Sequence, residues 1–475
     1  MTPNGLRFLP IVGVLGALAC ASHTTDVTLP AKPMPHTFAS GSMGSSAGLI
    51  GWQQFFRDEQ LHSLLRDALG ANPDLKIALQ RLEQARAGVR AATGAQLPQV
   101  SGVVGAGVQK VGRFTPEGAG NATTEITPGR SVPTHIGNVM VGLEASWEVD
   151  AWGRLRSARS GALARFLASA EGTRLVASSL VAEVASAYFE LLALDHTTDV
   201  LNQTIVRQQE ALDVVKLQMQ AGRANELAVQ QFAAQLANSK ALSVETELTR
   251  REAEARLNLL RGAYGGQIVR PKDRLLTPVA STFAAGVPSD LLENRPDIRA
   301  AEAEVEAARC DLKAARAAFY PRFTLSAGVG FEAFNPRYLL TTPESLIYSA
   351  AAGIVAPLVN RSAIEAQFDA AKASQVEAMY NYQKVVLNAH AEVVNALARL
   401  EAGARITGLR RERKAAVAQS AAIADALYRA GKANYFEVLL AQQNELSADL
   451  ELIQAMKQQQ LAMVYLYRAL GGGWR

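Results

Sequence analysis

Cys20 has the clearest chemical role of any residue in the sequence. It follows an apolar stretch at residues 8–19, and Arg7 is the only charge before it, which is the layout of an export signal. Residues 17–20 read ALAC and resemble a bacterial lipobox, whose cysteine is acylated after cleavage. A plain signal peptide cut near residue 19 is the alternative, because Ala17 replaces the usual leucine. We expect residues 1–19 to be the signal peptide, Cys20 to carry lipid, and residues 20–60 to form an N-terminal lipid-anchored tether.

Other residue types that could do chemistry are not arranged for it. The six histidines have no His or Glu partner at metal-ligand spacing. We find no Gly-x-Ser-x-Gly, His-Glu-x-x-His or phosphate-loop pattern. Gly105 and Gly107 lack the third glycine and the following helix of a nucleotide fingerprint, and small residues in a strand explain them better. Cys310 lies in an alanine-rich run and reads as buried packing. The sequence therefore predicts no enzyme, no cofactor and no metal site.

Charge and hydropathy limit what the chain can bind or cross. With 48 basic and 44 acidic residues, the net charge of +4 is small for 475 residues, and it argues against a nucleic-acid partner. Beyond the N-terminus we expect no apolar run of the roughly 18–20 residues that a membrane-spanning helix needs. Residues 135–150 and 322–331 alternate between apolar and polar side chains. This alternation is typical of outer-membrane barrel strands, although a half-buried strand of a soluble sheet shows it too.

An internal repeat organises the chain. Pro73 and Pro296 head matching segments 223 residues apart, whereas Gly222 and Gly431 match at a separation of 209, so the first copy has a longer loop, at residues 116–133. We predict repeat 1 at residues 61–262, a connector at 263–290 and repeat 2 at 291–475. Each repeat should contain helices, two strands, a very long helix, a tip and a returning helix. The strands are expected at about residues 98–113, 136–150, 320–332 and 345–357.

The two tips are the most distinctive short segments. Residues 221–225 read AGRAN and residues 430–434 read AGKAN, each between long proline-free runs. Residues 154–220 would span about 100 Å as one helix. Gly222 and Gly431 suit the left-handed position that ends a helix, and Asn is a good N-cap for the next one. Glu437 lies at capping-box spacing after Asn434. Both segments therefore read as tips of long helical hairpins.

Neither the strands nor the hairpins can be complete in one chain. Four strands cannot close a barrel, since small transmembrane barrels begin at about eight. Alanine-rich helices of this length cannot bury a core as an isolated pair, and they need close neighbours as in a coiled coil or a ring of hairpins. The sequence therefore predicts an oligomer.

Several motifs resemble one family, the TolC/OprM-type outer-membrane factors, in particular the lipoprotein (NodT-like) outlets of resistance-nodulation-division (RND) efflux systems. The matching segments are residues 52–61, 72–75, 147–154, 295–298, 318–321 and 469–474. Asn294 and residues 359–361 depart from the family pattern. The resemblance implies a mainly α fold with a small β part, in a homotrimer with a twelve-stranded barrel in the outer membrane and a periplasmic helical barrel. A periplasmic adaptor and an inner-membrane RND transporter would be its partners.

The resemblance also implies where function lies. It places adaptor contacts at Gly222, Arg223, Gly431 and Lys432. It places the periplasmic gate at Glu437 and Leu440, although Glu437 could equally serve only as a capping-box partner. We expect a passive outlet for exported drugs or other small molecules, and the second hairpin to be the one that moves. A protein-secretion outlet and a non-channel scaffold lipoprotein are the alternatives.

Overall fold

A computed structural model of the chain describes residues 33–38, 46–277, 279, 283, 285–359 and 361–474. The predicted signal peptide and Cys20 lie outside the described residues. The chain is mostly helical (67%), with few strands. The α-helices are α1 Trp52–Phe55, α2 Glu59–Ala71, α3 Pro73–Gly94, α4 Pro116–Asn121, α5 Arg154–Gln220, α6 Glu226–Leu260, α7 Asp290–Asn294, α8 Pro296–Ala317, α9 Ser362–Arg429 and α10 Tyr435–Ala469. The strands are β1 Gln99–Lys110, β2 Glu125–Thr127, β3 Arg130–Ser131, β4 His135–Val149, β5 Arg322–Ala333 and β6 Leu346–Val355.

The chain forms two compact units, and both repeats contribute to each. A strand unit comprises Pro98–Ser157 and Ala308–Met379. A helical unit comprises Pro33–Leu97, Ala158–Ala307 and Tyr380–Arg475. The structural units are therefore not the two sequential repeats, because each repeat passes through both units.

The strand unit is built on one four-stranded antiparallel sheet with the order β1-β4-β5-β6. Strands β1 and β6 each have a single neighbour in this sheet, so each has one unpaired edge. Val100, Val104 and Val108 recur at even spacing along β1 and are 64%, 82% and 74% exposed. A strand with an open edge and a bare apolar face is a template for pairing with another chain.

The turn from β4 into α5 shows why the long helix begins where it does. Asp150 caps it, because its carboxylate accepts hydrogen bonds from the backbone N–H groups of Leu155 (3.0 Å) and Arg156 (2.8 Å). Gly153 supplies the left-handed backbone of the turn, with φ +74°. Trp152 stacks on Tyr320, with ring centroids 4.9 Å apart. Aromatic rings at the ends of strands are typical of a membrane–water interface.

Helix α5 is continuous over 67 residues, and α9 over 68. The glycines within them do not break them. Among the described residues one helix, α5, contains an 18-residue segment that is long and apolar enough to cross a membrane. The expectation that no such segment occurs beyond the N-terminus was therefore wrong. In that segment 61% of the residues are buried inside the protein, as in the core helix of a soluble protein.

The core of the helical unit explains this burial. Leu61 and Leu65 of α2 pack against the middle of α5, where Tyr188 and Leu191 are fully buried, and against Tyr467 of α10. A second cluster joins α8, α9 and α10. The apolar residues of α5 therefore pack against neighbouring helices of the same unit.

The duplication is visible in matching contacts at the ends of the returning helices. The Asn72 side-chain amide donates to the backbone oxygen of Leu260, at the end of α6 (2.9 Å). At the matching place in repeat 2, the Arg295 guanidinium donates to the backbone oxygen of Ala469, at the end of α10 (2.8 Å). Different side chains therefore satisfy the same backbone acceptor in the two copies.

Glycine is needed just past each of these ends. Gly262 and Gly471 have φ values of +67° and +85°. A Cβ atom on either would lie 2.7 Å from a backbone oxygen, that of Ala71 or Asn294 respectively. Both positions thus combine left-handed backbone with a close backbone approach, which only glycine tolerates.

Candidate functional site: the tips of the two helical hairpins

The first hairpin, α5 and α6, turns through Gly222. This residue has φ +70°, and its N–H donates to the backbone oxygen of Met219 (3.0 Å). The N–H of Arg223 donates to the backbone oxygen of Gln218 (2.8 Å). These two bonds form a Schellman motif, which satisfies carbonyl groups that the helix end would otherwise leave unpaired.

The second hairpin, α9 and α10, turns in the same way through Gly431, also with φ +70°. Its N–H donates to the backbone oxygen of Tyr428 (2.9 Å), and the N–H of Lys432 donates to that of Leu427 (2.8 Å). A Cβ atom on Gly222 or Gly431 would meet nothing within 4 Å. The tip glycines are therefore required by the backbone conformation, and the space around them in one protomer is open.

Asparagine caps the helix that leaves each tip. The Asn225 side-chain oxygen accepts from the N–H of Ala228 (3.0 Å), and that of Asn434 accepts from the N–H of Glu437 (3.1 Å). The reciprocal bond of a capping box, in which the Asn434 N–H would donate to the Glu437 carboxylate, is absent among the described residues. The cap therefore uses only the backbone of Glu437, and its side chain is free for another role.

The predicted site residues at the tips are all exposed in the protomer. This holds for Gly222, Arg223, Gly431, Lys432, Glu437 and Leu440. Leu440 is 46% exposed although it is apolar. Ala228, which matches Glu437 in the first repeat, is fully buried in a cluster with Val215 and Phe232. An exposed acid therefore occurs at this position only in the second hairpin.

Near the tips, polar contacts that were not predicted from the sequence join the two hairpins, beside the apolar cluster that contains Leu439. The Tyr428 hydroxyl donates to the Gln218 side-chain oxygen, and burial raises the pKa of Tyr428, which keeps it a donor. Arg207 pairs with Glu445 at 3.1 Å. In sequence these residues look like a solvated helix face, and only the packing of α9 and α10 against α5 distinguishes them.

A cavity of about 590 Å³ lies between the hairpins beside these contacts. Helices α5, α9 and α10 supply most of its wall, with Phe232 of α6. Its lining mixes apolar side chains with amides and paired charges. Among the described residues no group of three or more His, Cys, Asp or Glu could hold a metal ion.

A further ionic network fixes the connector to the helical unit. Arg270 donates to both carboxylate oxygens of Asp195 (2.5 and 2.8 Å) and to Glu254 (3.0 Å). Asp195 raises the pKa of Arg270, mainly through its hydrogen bond. Arg250 donates to the same oxygen of Glu254. Arg250 and Glu254 are therefore half-buried parts of a network.

A sheet with unpaired edges and two very long hairpins fit a channel-forming class of outer-membrane protein, and comparison with known proteins supports that class. The sequence profile of the outer membrane efflux protein family matches residues 64–263 and 287–472. The chain belongs to this family, which confirms the resemblance seen in its motifs. It is an outer-membrane efflux channel.

Individual relatives align over nearly the whole chain. The pyoverdine export outer membrane protein OpmQ of Pseudomonas aeruginosa is 30% identical over 478 residues, covering 100% of this chain and 98% of OpmQ. The cation efflux system protein CusC of Escherichia coli O6:H1 is 28% identical over 474 residues, covering 99% of each. A crystal structure of a membrane protein from Pseudomonas aeruginosa superimposes with a TM-score of 0.85 at 27% identity, covering 94% of this chain and 99% of that one. CusC is an efflux-system protein and OpmQ an export protein of the outer membrane, which does not favour a secretion outlet or a scaffold for this chain.

Proposed function

We propose that three copies of this chain form the outer-membrane outlet of a tripartite efflux pump. The observation that carries this proposal is the four-stranded sheet with unpaired edges on β1 and β6. Pairing β6 of one copy with β1 of the next removes every open edge, and three copies supply a twelve-stranded barrel, within the range of closed transmembrane barrels. The long hairpins would form the periplasmic helical barrel.

The assembly and its conductance can be tested together. We expect purified protein to run as a heat-modifiable trimer and to open discrete channels in planar bilayers. A monomer in mild detergent that gives no conductance would refute the outlet. Extraction from the membrane by delipidation alone would instead support a lipid-anchored scaffold.

We propose lipid attachment at Cys20, which the described residues do not include. The support is the sequence ALAC at residues 17–20, which resembles a bacterial lipobox. Labelled palmitate should be incorporated by the native protein and not by Cys20→Ser. Equal labelling of both would rule the site out.

The exposed tips are proposed to contact a periplasmic adaptor through Gly222, Arg223, Gly431 and Lys432. The support is their exposure and the open space around both glycines. Gly431→Trp should abolish efflux while the protein still reaches the outer membrane in normal amount. Gly129→Trp is the matched control, because Gly129 has φ +78° and equally open surroundings in the turn between β2 and β3. Equal loss in both variants would point to backbone strain and not to partner contact.

Glu437 and Leu440 are proposed to line the periplasmic gate, and the second hairpin is proposed to move on opening. Three copies of Glu437 near a symmetry axis would form an anionic ring that raises the local cation concentration. Leu440 would add an apolar constriction. Glu437→Gln should lower the cation preference of single channels, whereas Glu226→Gln, at the start of α6, should leave it unchanged. An unaltered preference in both removes Glu437 from the gate.

We propose that the inner-membrane transporter, an RND pump, selects the cargo. Two relatives of similar identity carry the names of different cargoes, cations for CusC and pyoverdine for OpmQ. Such variety is expected of a passive duct with no chemistry of its own. Replacing this chain by a relative that accepts the same adaptor should therefore leave the range of exported compounds unchanged.

A further inference from the structure

The cavity between the hairpins collects buried polar atoms that have no protein partner. Thr204 and Gln208 lie one turn apart on α5 and are 5% and 2% exposed. Within the part of the chain that the structure describes, the Thr204 hydroxyl and both amide atoms of Gln208 have no hydrogen-bond partner, and neither does the side-chain oxygen of Gln442 on α10. All three residues line the same cavity. Buried polar groups are almost always paired, so these atoms indicate a ligand.

Thr204 differs from other threonines of the same helix. The hydroxyl groups of Thr197 and Thr198 each donate to the backbone oxygen four residues earlier, at 2.9 Å. That local bond is open to any threonine in a helix. Thr204 does not make it, so its hydroxyl remains available to the cavity.

The charges around the cavity show what kind of ligand fits. Arg207 is paired with Glu445 (3.1 Å) and Arg429 with Asp425 (2.8 Å), while Glu210 is exposed to solvent. The unpaired buried atoms are all neutral and include both donors and acceptors. A neutral ligand that both donates and accepts hydrogen bonds satisfies these atoms, whereas an ion does not.

We propose that this cavity binds a cluster of water molecules held by Thr204, Gln208 and Gln442. A water needs roughly 10–15 Å³ of probe-occupied space and two to four polar partners, and the cavity offers both. Near the tips the two hairpins then meet across a wet seam, beside an apolar contact at Leu439. On the proposed channel function, hairpin two separates from hairpin one at this seam, whereas the apolar cluster that joins α5 and α10 lies farther from the tips.

Thiol labelling tests whether water reaches the cavity. In a Cys310→Ser background, full-length protein in membrane vesicles is treated with methyl methanethiosulfonate, a small neutral reagent. Val215 lines the cavity and Leu201 lies elsewhere on α5, and both are 1% exposed. We expect Val215→Cys to react at least about tenfold faster than Leu201→Cys, since access controls the reaction of equally buried thiols. Equal rates would show a dry, closed cavity and overturn the proposal.

A second variant tests the role of the polar atoms. Gln208→Leu in the Val215→Cys background should slow labelling towards the Leu201→Cys rate, because an apolar cavity of similar size stays dry. An unchanged rate would remove Gln208 from the water site. Labelling is measured without current or efflux, so a failure of the channel function would leave this result standing.

Discussion

Replacing Asn72 by Asp tests the hydrogen bond that joins the start of α3 to the end of α6 in the first repeat. Asn72 is 3% exposed and makes two bonds of opposite sense. Its oxygen accepts from the Leu75 N–H (3.0 Å), and its amide donates to the Leu260 oxygen (2.9 Å). Asn72→Asp keeps the shape and the helix cap but replaces the donor by a carboxylate oxygen facing a carbonyl.

The expected loss of unfolding free energy follows from the hydrogen bond to Leu260 that the variant no longer makes. An unsatisfied buried partner costs about 1–3 kcal/mol of unfolding free energy, and repulsion between the two oxygens adds to it. Asn225→Asp is the matched control, because Asn225 is an exposed cap and, within the described ranges, its side chain bonds only to the N–H of Ala228. A carboxylate suits a helix N-terminus, so this control should stay within about 0.5 kcal/mol of the native protein.

The dependence on pH separates this explanation from general damage. Burial against a carbonyl should raise the pKa of the carboxyl introduced at position 72 above its unfolded value of about 3.9. Below about pH 3.9 the carboxyl group is protonated in both states and can donate to the Leu260 backbone oxygen, so the penalty in unfolding free energy is absent. The penalty grows as the pH rises from there through the folded pKa. Denaturant unfolding in detergent, followed by far-ultraviolet circular dichroism, measures it. A penalty equal to that of Asn225→Asp, or independent of pH, would refute the reasoning.

Substitutions at three other sites give independent tests. Tyr188→Phe removes the donor to the buried Asp58 carboxylate (2.8 Å), and should cost about 1.5–3 kcal/mol of unfolding free energy in the same assay. Arg270→Ala leaves Asp195 without its bidentate partner, and should speed cleavage of the connector by proteinase K while the helical hairpins stay resistant. Gly431→Val should cost about 1–2 kcal/mol through left-handed strain, whereas Gly431→Asn should cost clearly less because asparagine tolerates that conformation; equal costs would contradict this.

The long helices were predictable because their limits are local. Helix α5 begins and ends within the predicted residues 154–220, since Asp150 caps its start and Gly222 ends it. The short helix α4 was missed, although Thr115 and Pro116 are an N-cap and a first helical residue, and the Thr115 hydroxyl accepts from the Gly118 N–H (3.1 Å). Three glycines nearby had indicated a loop.

The candidate site was only partly predictable, because its polar residues owe their burial to distant segments. The backbone of both tips follows from a five-residue pattern, and the structure has it. Thr204 and Gln208 carry no local sign of burial, since another hairpin covers them. The network at Arg250 became evident only when the connector brought Arg270 beside it.

The two repeats show which features of the duplicated plan are fixed by the backbone and which are not. Both returning helices end in the same Schellman geometry, at Gly262 and Gly471, and both need a donor for their last carbonyl. Asn72 supplies it in one copy and Arg295 in the other, so the requirement is geometric and not tied to a residue type. The tips follow the same rule for their glycines and caps. They differ where the backbone makes no demand, at the third position of the following helix, which is buried Ala228 in one and exposed Glu437 in the other. The proposed gate residue Glu437 occupies such a position, where the backbone imposes no residue type.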